Sequence, residues 1–403
     1  MAFKPALIGS SADAEDQQTT PSRHAPGGMA ESAGDGCANG VDPASVQVEI
    51  VTRTEQLAAL REPWERLYAE SDASAYACLD WLLAVFESDG TDDGLRICLL
   101  SDRHGLFGIV PLALRRRSAF RAELRFAGGG WPLCNTAILS SRCEGFPVLV
   151  PTLKHLRQHF HDWQYARLNR VPAGSPLTLA ANSTPPFSRR MTCREHGASV
   201  VILLPESWEV YEAEVTPARW KILNRRPSEL RRRGEVRMAR VGLAAGADEP
   251  ALEVVMQDAL TVARASWQAS TPEGRAICDD QTRDLFIESS RRMARRGMLD
   301  LSVLYFNGQP VSFTWGMARH PNTSILKMGF DPIIHKLSPG LVHIAELLRD
   351  SIDRGMCELD FGHEFIEYKS RWSQRRRPLY EITYFRRGRV GRVLDRLAEQ
   401  LGQ

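Results

Sequence analysis

Leu301-Ser302-Val303-Leu304-Tyr305-Phe306-Asn307-Gly308-Gln309-Pro310-Val311-Ser312-Phe313-Thr314-Trp315-Gly316-Met317 is the stretch on which the fold turns. Its apolar runs, 301–306 and 311–317, flank Asn307-Gly308, a dipeptide that accepts positive φ at both centres of a tight hairpin turn. Ile325 to Phe330 reads as a third strand. Residues 340–353 then place Leu341, Ile344, Ala345, Leu348 and Ile352 on one face, the pattern of an amphipathic helix. Strand and helix meet at Gly329-Phe330-Asp331-Pro332-Ile333-Ile334-His335-Lys336-Leu337-Ser338-Pro339-Gly340-Leu341. Ser338 is expected to cap, Pro339 to preorganise the first turn, and Gly340 to leave the backbone open to close approach. A helix start has unpaired N–H groups and a positive dipole end, so it can hold an anion, and His335 and Lys336 add charge. Taken alone, the segment also fits an ordinary Ser-Pro-Gly helix start.

Downstream, Cys357 to Phe361 reads as a strand, followed by a short helix through Tyr368, a strand at 379–386 and a helix from about 390. Upstream, Thr216-Pro217 opens a helix that Pro227 should kink, Ser228 restart and Gly234 end. A strand at 235–241 follows, then helices at 251–266 and 282–296, the second closed by Gly297.

The first half begins in the same order. Alternation at Val46 to Val51 marks a strand, and residues 54–70 and 79–88 carry helical patterns. Leu95 to Leu100 and Leu106 to Leu112 form a hairpin across Ser101-Asp102-Arg103-His104-Gly105. Residues 118–147, with Gly128-Gly129-Gly130, have no assignable pattern, and 172–190 reads as a loop. Residues 1–45 have almost no large apolar side chains to offset chain entropy and are expected to be disordered. The expected division is therefore a tail at 1–45, a degenerate amino-terminal lobe at 46–200 and a carboxy-terminal lobe at 201–403.

A net charge of only +2 over 403 residues argues against a dedicated DNA-binding protein. The eight cysteines form no Cys-x-x-Cys pair, so neither a disulfide framework nor a zinc site is expected. His155, His159 and His161 lack further ligands beyond Asp162, and no metal is expected. The chain has no secretory leader and no apolar run long enough to cross a bilayer, which makes a cytoplasmic location the expectation.

Asp360-Phe361-Gly362-His363-Glu364-Phe365-Ile366-Glu367-Tyr368-Lys369 gathers ionisable groups at a strand end. This Asp-x-Gly-x-Glu-x-x-x-Tyr-Lys pattern, together with the Gly-Phe-Asp-Pro strand end and the Ser-Pro-Gly helix start, resembles the GNAT superfamily of acyltransferases. The resemblance is to the CelD-type branch associated with cellulose and exopolysaccharide biosynthesis, which is related to the Fem-type peptidyltransferases. Ala265-Ser266-Trp267-Gln268, followed by Gly274, is similar to a Ser-Trp-Lys...Gly segment of that branch, with Gln268 in place of lysine. Trp64, Leu67 and Asp80-Trp81-Leu82 are similar to its amino-terminal lobe, so the resemblance spans roughly 46–390. The Gln/Arg-x-x-Gly-x-Gly/Ala loop of most GNAT enzymes is absent.

The resemblance implies an α/β (α+β) fold of tandem GNAT-like lobes, each a mixed, mostly antiparallel sheet flanked by helices. It also implies an acyl-CoA donor, acetyl-CoA first among them, whose pyrophosphate lies at the start of the helix after the third antiparallel strand. Gly329, Phe330, Lys336, Ser338, Gly340 and Leu341 are the donor-site candidates on that basis. The implied acceptor is an amine or hydroxyl of a sugar, nucleotide-sugar or envelope precursor, with polysaccharide-synthesis machinery as partner.

Acyl transfer from a thioester needs an in-line nucleophile, help in removing its proton and donors for the oxyanion. His363 has the pKa class best suited to a base, and Glu364 is next if buried. Tyr368 can protonate the departing thiolate, Lys369 can hold an acidic acceptor or the donor phosphates, and Asp360 completes the cluster. Each has a plainer role: Asp360 as a turn cap, Glu364 and Tyr368 as a packing pair, Lys369 as a solvated side chain. Trp267 is either core or acceptor-pocket wall. Arg231, in the run Arg225-Arg226 and Arg231-Arg232-Arg233, is either substrate-binding or part of a solvated face. Those clusters also fit transfer RNA, as in a Fem-like aminoacyl-tRNA-dependent transferase. A non-catalytic GNAT-fold partner of a polysaccharide synthase is the third reading.

Overall fold

Strand alternation and helix periodicity are realised in a computed structural model that describes residues 40–89, 94–118, 121–183, 187–246, 248–270, 276–363 and 367–386. The expected tail up to residue 39, Gly274, Glu364 and the helix expected from 390 lie outside the described residues.

The first half runs β1 (Gln47–Val51), α1 (Glu55–Ala59), α2 (Arg61–Glu70), α3 (Leu79–Asp89), β2 (Leu95–Asp102), β3 (Gly105–Ser118) and β4 (Arg121–Phe126). It continues with β5 (Ile138–Leu139), α4 (Leu149–His159), β6 (Tyr165–Pro172) and β7 (Met191–Leu203). Three short helices, α5 (Trp208–Glu214), α6 (Pro217–Trp220) and α7 (Arg226–Arg231), lead to β8 (Val236–Val241), α8 (Glu249–Ala265) and α9 (Arg283–Arg295). Then come β9 (Leu299–Phe306), β10 (Gln309–Arg319), β11 (Asn322–Ser324), β12 (Lys327–Phe330), α10 (Pro339–Asp353), β13 (Glu358–His363), α11 (Glu367–Ser370) and β14 (Arg376–Phe385).

The two halves repeat one topology. β1-β2-β3-β4 is antiparallel and ends on the parallel pair β4–β6, as β8-β9-β10-β11 ends on the parallel pair β11–β13. The last strand of each half is exchanged. β14 lies on β6 of the first half, β7 lies on β13 of the second, and β7 and β14 pair with each other. One mixed sheet therefore runs through the molecule, and the boundary expected at residue 200 falls inside β7. The polar run Thr192 to Ala198, mostly exposed, hid β7 from the sequence pattern.

The hairpin behaves as its turn chemistry dictates. Asn307 and Gly308 take φ of 50° and 75°, and Asn307 Oδ1 accepts the Glu235 N–H at 2.9 Å. The kink expected at Pro227 appears one turn earlier, as a π-helical turn over Lys221–Arg225. Widening the turn accommodates a residue that offers no N–H and whose ring crowds the preceding turn.

The halves are fixed by a shared core. Trp315 of β10 packs edge-on to Phe286 of α9, with centroids 4.9 Å apart, and lies 6.0 Å from Trp81 of α3. Arg296 bridges to Glu65 and Asp80, and Arg319 donates to the carbonyls of Tyr68, Ala69, Ser71 and Ala73 at the end of α2. Both arginines belong to the second half and all their partners to the first.

Candidate functional site

β11 and β13 run parallel for three residue pairs and part after the Ile325 N–H donates to the Asp360 carbonyl at 2.9 Å. Beyond that point β12 pairs, among the described residues, with β10 alone, while β13 leans to β7, where His363 is opposite Ser199. The backbone groups that face the gap are thereby released from the sheet. A cavity of about 330 Å³ opens here. Lys327 and Met328 form one side, Phe361, Gly362 and His363 the other, with Tyr368 and Lys369 from α11 and Trp267 from the turn after α8.

The first half supplies a wall that sequence reasoning missed. Trp131 packs edge-on to Phe286, with the Lys327 ammonium 5.2 Å from its ring centroid. Arg170, left-handed at φ 57°, donates to the carbonyls of Gly130 and Pro132 at 3.0 and 2.8 Å, and to His363 Nε2 at 2.8 Å. A guanidinium has no lone pair to offer, so Nε2 must be the acceptor. The imidazole is therefore neutral, with its proton on Nδ1. The triple glycine at 128–130 was the available signal for a close backbone approach: a Cβ at Gly128 would lie 2.9 Å from Pro132 Cγ.

Four sequence candidates meet here: His363, Tyr368, Lys369 and Trp267. Trp267 is 58% exposed and forms the rim, which corrects the core alternative. Its neighbour Gln268 is buried and donates to the Met328 carbonyl at 2.6 Å, holding the rim to β12. Tyr368 is half-buried, its hydroxyl 3.3 Å from Met328 Sδ, and burial pushes its phenol up to about 12. Lys369, expected to be solvated or ligand-facing, is instead buried. Its ammonium donates to the carbonyls of His363 at 2.9 Å and Gly362 at 3.4 Å, securing the strand end. Gly362 has φ 77°, and a Cβ there would lie 2.6 Å from Leu133 Cδ2, so both backbone and packing demand glycine.

Asp360 turns away from this cavity. Its Oδ1 accepts the Gly362 N–H at 2.6 Å, the turn-capping role, and burial raises its pKa. It lines a separate, larger cavity. Arg231 does not line the 330 Å³ cavity either: it donates to Glu346 of α10 at 2.7 Å, clamping α7 to α10.

The donor-site candidates lie around the start of α10. Asp331, not Ser338, caps through its side chain, accepting the Ile333 N–H to start a 3₁₀ turn over Pro332–Leu337. Ser338 is left-handed at φ 55° and makes no side-chain cap; its carbonyl accepts from Leu341 and Val342 at 3.0 and 3.1 Å. Pro339 has no N–H, so Gly340 offers the one unpaired donor of this turn among the described residues. Phe330 lies against Gly340, where a Cβ would approach Phe330 Cδ1 to 3.3 Å. Lys336 is exposed, Gly329 is buried and Leu341 is half-buried.

A buried chain of hydrogen bonds fixes α10 against β12. Ser312 donates to the Gly329 carbonyl at 3.0 Å, so His343 Nδ1 must donate to Ser312, at 3.0 Å. His343 Nε2 therefore accepts from Ser302 at 2.8 Å, and Ser302 accepts from Thr314 at 2.6 Å. With no exposed surface, the imidazole is held neutral, its pKa pushed down to about 3 by burial and then by Arg240.

Among the described residues no helix is long and apolar enough to cross a membrane. Residues 218–370 match the model of the acetyltransferase (GNAT) domain. No curated protein matches the sequence. Among solved structures, FemX is similar with a TM-score of 0.56 at 8% identity, over 84% of this chain and 97% of that one. A conserved protein of unknown function from Bacteroides thetaiotaomicron gives 0.55 at 12%, over 84% and 100%. L-PGS from Bacillus licheniformis gives 0.52 at 11%, over 81% and 91%. These likenesses concern the fold. The match of residues 218–370 to the acetyltransferase (GNAT) domain, on a fold that these structures share, supports an acyltransferase.

Proposed function

We propose that the protein transfers an acyl group from acyl-CoA, acetyl-CoA first among donors, to an amine or hydroxyl of a sugar, nucleotide-sugar or envelope precursor. We read it as a CelD-type member of its superfamily, working in the cytoplasm beside polysaccharide-synthesis machinery, with halves at 46–200 and 201–403. The observation that carries the donor is the parting of β12 from β13: β12 lines the 330 Å³ cavity with Lys327 and Met328 and ends at Phe330, which lies against Gly340 at the start of α10.

The start of α10 fits a pyrophosphate in kind: a dipole end, the unpaired Gly340 N–H, and His335 and Lys336 nearby. Gly329, Phe330, Ser338 and Leu341 shape that turn. Bound acyl-CoA supplies a thioester carbonyl open to nucleophilic attack. Tyr368, still protonated at neutral pH, is the proton donor for the departing sulfur. His363, whose Nε2 accepts from Arg170, carries its proton on Nδ1 and acts as a base only when Nε2 is released from Arg170. Lys369 holds the strand end, and Trp267 covers the rim. Incubation with acetyl-CoA and a mixture of amino sugars, sugars and nucleotide-sugars, followed by assay of free CoA thiol, tests the reading. Acceptor-dependent thiol release supports it; a rate no higher than the acceptor-free background with every donor and acceptor class contradicts it.

One observation favours a second reading, an aminoacyl-tRNA-dependent transferase. The α10 turn offers a single free N–H, few for a pyrophosphate, while Lys221, Arg225, Arg231 and Arg232 are exposed beside it on the α6–α7 segment. Salt-sensitive retention of transfer RNA, without a response to CoA, is the outcome that selects it.

A further inference from the structure

The larger cavity, about 530 Å³, lies between the two halves on the side of β13 that carries Glu358 and Asp360. Its rim includes the exposed residues Asp72, His320 and Asn322, while Tyr76, Ser324 and Asp360 are buried at its floor. Adjacent strand residues point to opposite faces, so Asp360 enters this cavity and Phe361 the smaller one. Leu133, packed on Gly362, lines both.

The floor is rich in acceptors. Ser324 donates to the Met317 carbonyl at 2.8 Å, so the Tyr76 hydroxyl must donate to Ser324, at 3.0 Å, and the phenol oxygen keeps its lone pairs for a ligand. Arg377 is turned to Glu358, to which it donates, and comes only within 4.0 Å of Asp360. The Arg319 guanidinium is occupied by the four carbonyls at the end of α2. Three carboxylates, Asp72, Glu358 and Asp360, thus line the cavity against two guanidiniums whose donors are directed elsewhere. Asp72 stands at the rim and Glu358 is answered by Arg377, so the buried acceptors at the floor are Asp360 and the Tyr76 oxygen, a pair complementary to a compact group with several N–H donors.

We propose that this cavity binds a small polar ligand bearing a protonated primary amine, with the ammonium seated between Asp360 and the Tyr76 oxygen. An acyl acceptor and a separate amine ligand would share this chemistry. Where the ligand is the acceptor, the assignment rests on the acyl-CoA reading; the binding site itself does not.

The test is titration calorimetry of the full chain with glucosamine and with glucose, which differ in one amine for one hydroxyl, near neutral pH, where the amine still carries a proton and the Asp360 carboxyl, raised by burial, is more fully ionised than in acid. Glucosamine is expected to bind at least about tenfold more tightly than glucose. Asp360→Asn keeps an acceptor for the Gly362 N–H but removes the charge, and should abolish that preference. Asn322→Lys, at the exposed rim, should weaken glucosamine and spare glucose, which keeps the test open if the buried variant folds poorly. Absence of glucosamine binding, equal binding of the two sugars, or indifference to both substitutions overturns the proposal. With acetyl-CoA added, an acetylated product marks the amine as acceptor, and binding without product marks a separate ligand; both support the site. The response of the thermal midpoint to CoA, measured on the same variants, reports the donor site separately.

Discussion

Arg170 and His363, 193 positions apart, are joined by a hydrogen bond of 2.8 Å from guanidinium to Nε2, across the line where the two halves meet. That bond brings the first half of the chain to the 330 Å³ cavity, and it puts the proton of the histidine on Nδ1. Removing the arginine should therefore change chemistry as well as packing. Arg170→Met leaves the carbonyls of Gly130 and Pro132 without these donors, for a loss of about 1–3 kcal/mol in urea unfolding. If the Nδ1 proton of His363 is a donor in the reaction, His363→Asn, which keeps a donor, should retain more activity than His363→Ala. Equal activity of the two variants would contradict it.

Gly362→Ala should destabilise the protein by about 1–3 kcal/mol, because φ 77° is costly for alanine and the new methyl meets Leu133. Adding Leu133→Ala should recover the steric part and leave the backbone part, so the double-mutant cycle will be non-additive. Additive losses would mean that the two residues do not touch.

How much of this could be read in advance follows from where each signal lies. The β9–β10 hairpin was legible because Asn307-Gly308 is local chemistry, and the α10 helix because its apolar face repeats within the helix. The cluster from Asp360 to Lys369 was legible as a site, but not its division. Alternation along β13 sends Asp360 to one cavity and Phe361 to the other, while Lys369 turns inward to carbonyls. Arg170 had no signal: its role depends on a left-handed residue in β6 and on a partner in the other half. The strand exchange was equally hidden, since β7 is polar where it pairs with β14.

His343 makes a prediction about pH. Its folded-state pKa, about 3, lies below the ordinary histidine value of ~6.5, so between these limits the unfolded chain binds a proton that the folded one does not. Stability should therefore fall as pH falls through that window, with a slope of up to about 1.4 kcal/mol per pH unit from this residue. Burial raises the Asp360 pKa, and above its unfolded value that residue contributes a slope of the opposite sign. His343→Gln should flatten the acid slope of ΔG against pH while lowering stability at neutral pH. An unchanged slope would show that His343 is not buried as a neutral group.

Tyr368→Phe should lower kcat about tenfold or more with little change in KM for the donor, if the phenol supplies the proton to sulfur. Because burial holds that phenol at about 12, wild-type activity should show no break near the ordinary tyrosine value of ~10. A break there, or full activity in the phenylalanine variant, would remove Tyr368 from the reaction.

The most direct measurement is the thermal unfolding midpoint with and without acetyl-CoA and free CoA, on the wild type and on Gly340→Asp. A ligand at ~100 times its dissociation constant adds about 2.7 kcal/mol, and the wild-type midpoint should rise accordingly. In Gly340→Asp a carboxylate stands beside the unpaired N–H at the start of α10, and the rise should vanish. A wild-type midpoint indifferent to every CoA species, or a shift that survives the aspartate, would contradict an acyl-CoA site between β12, β13 and α10.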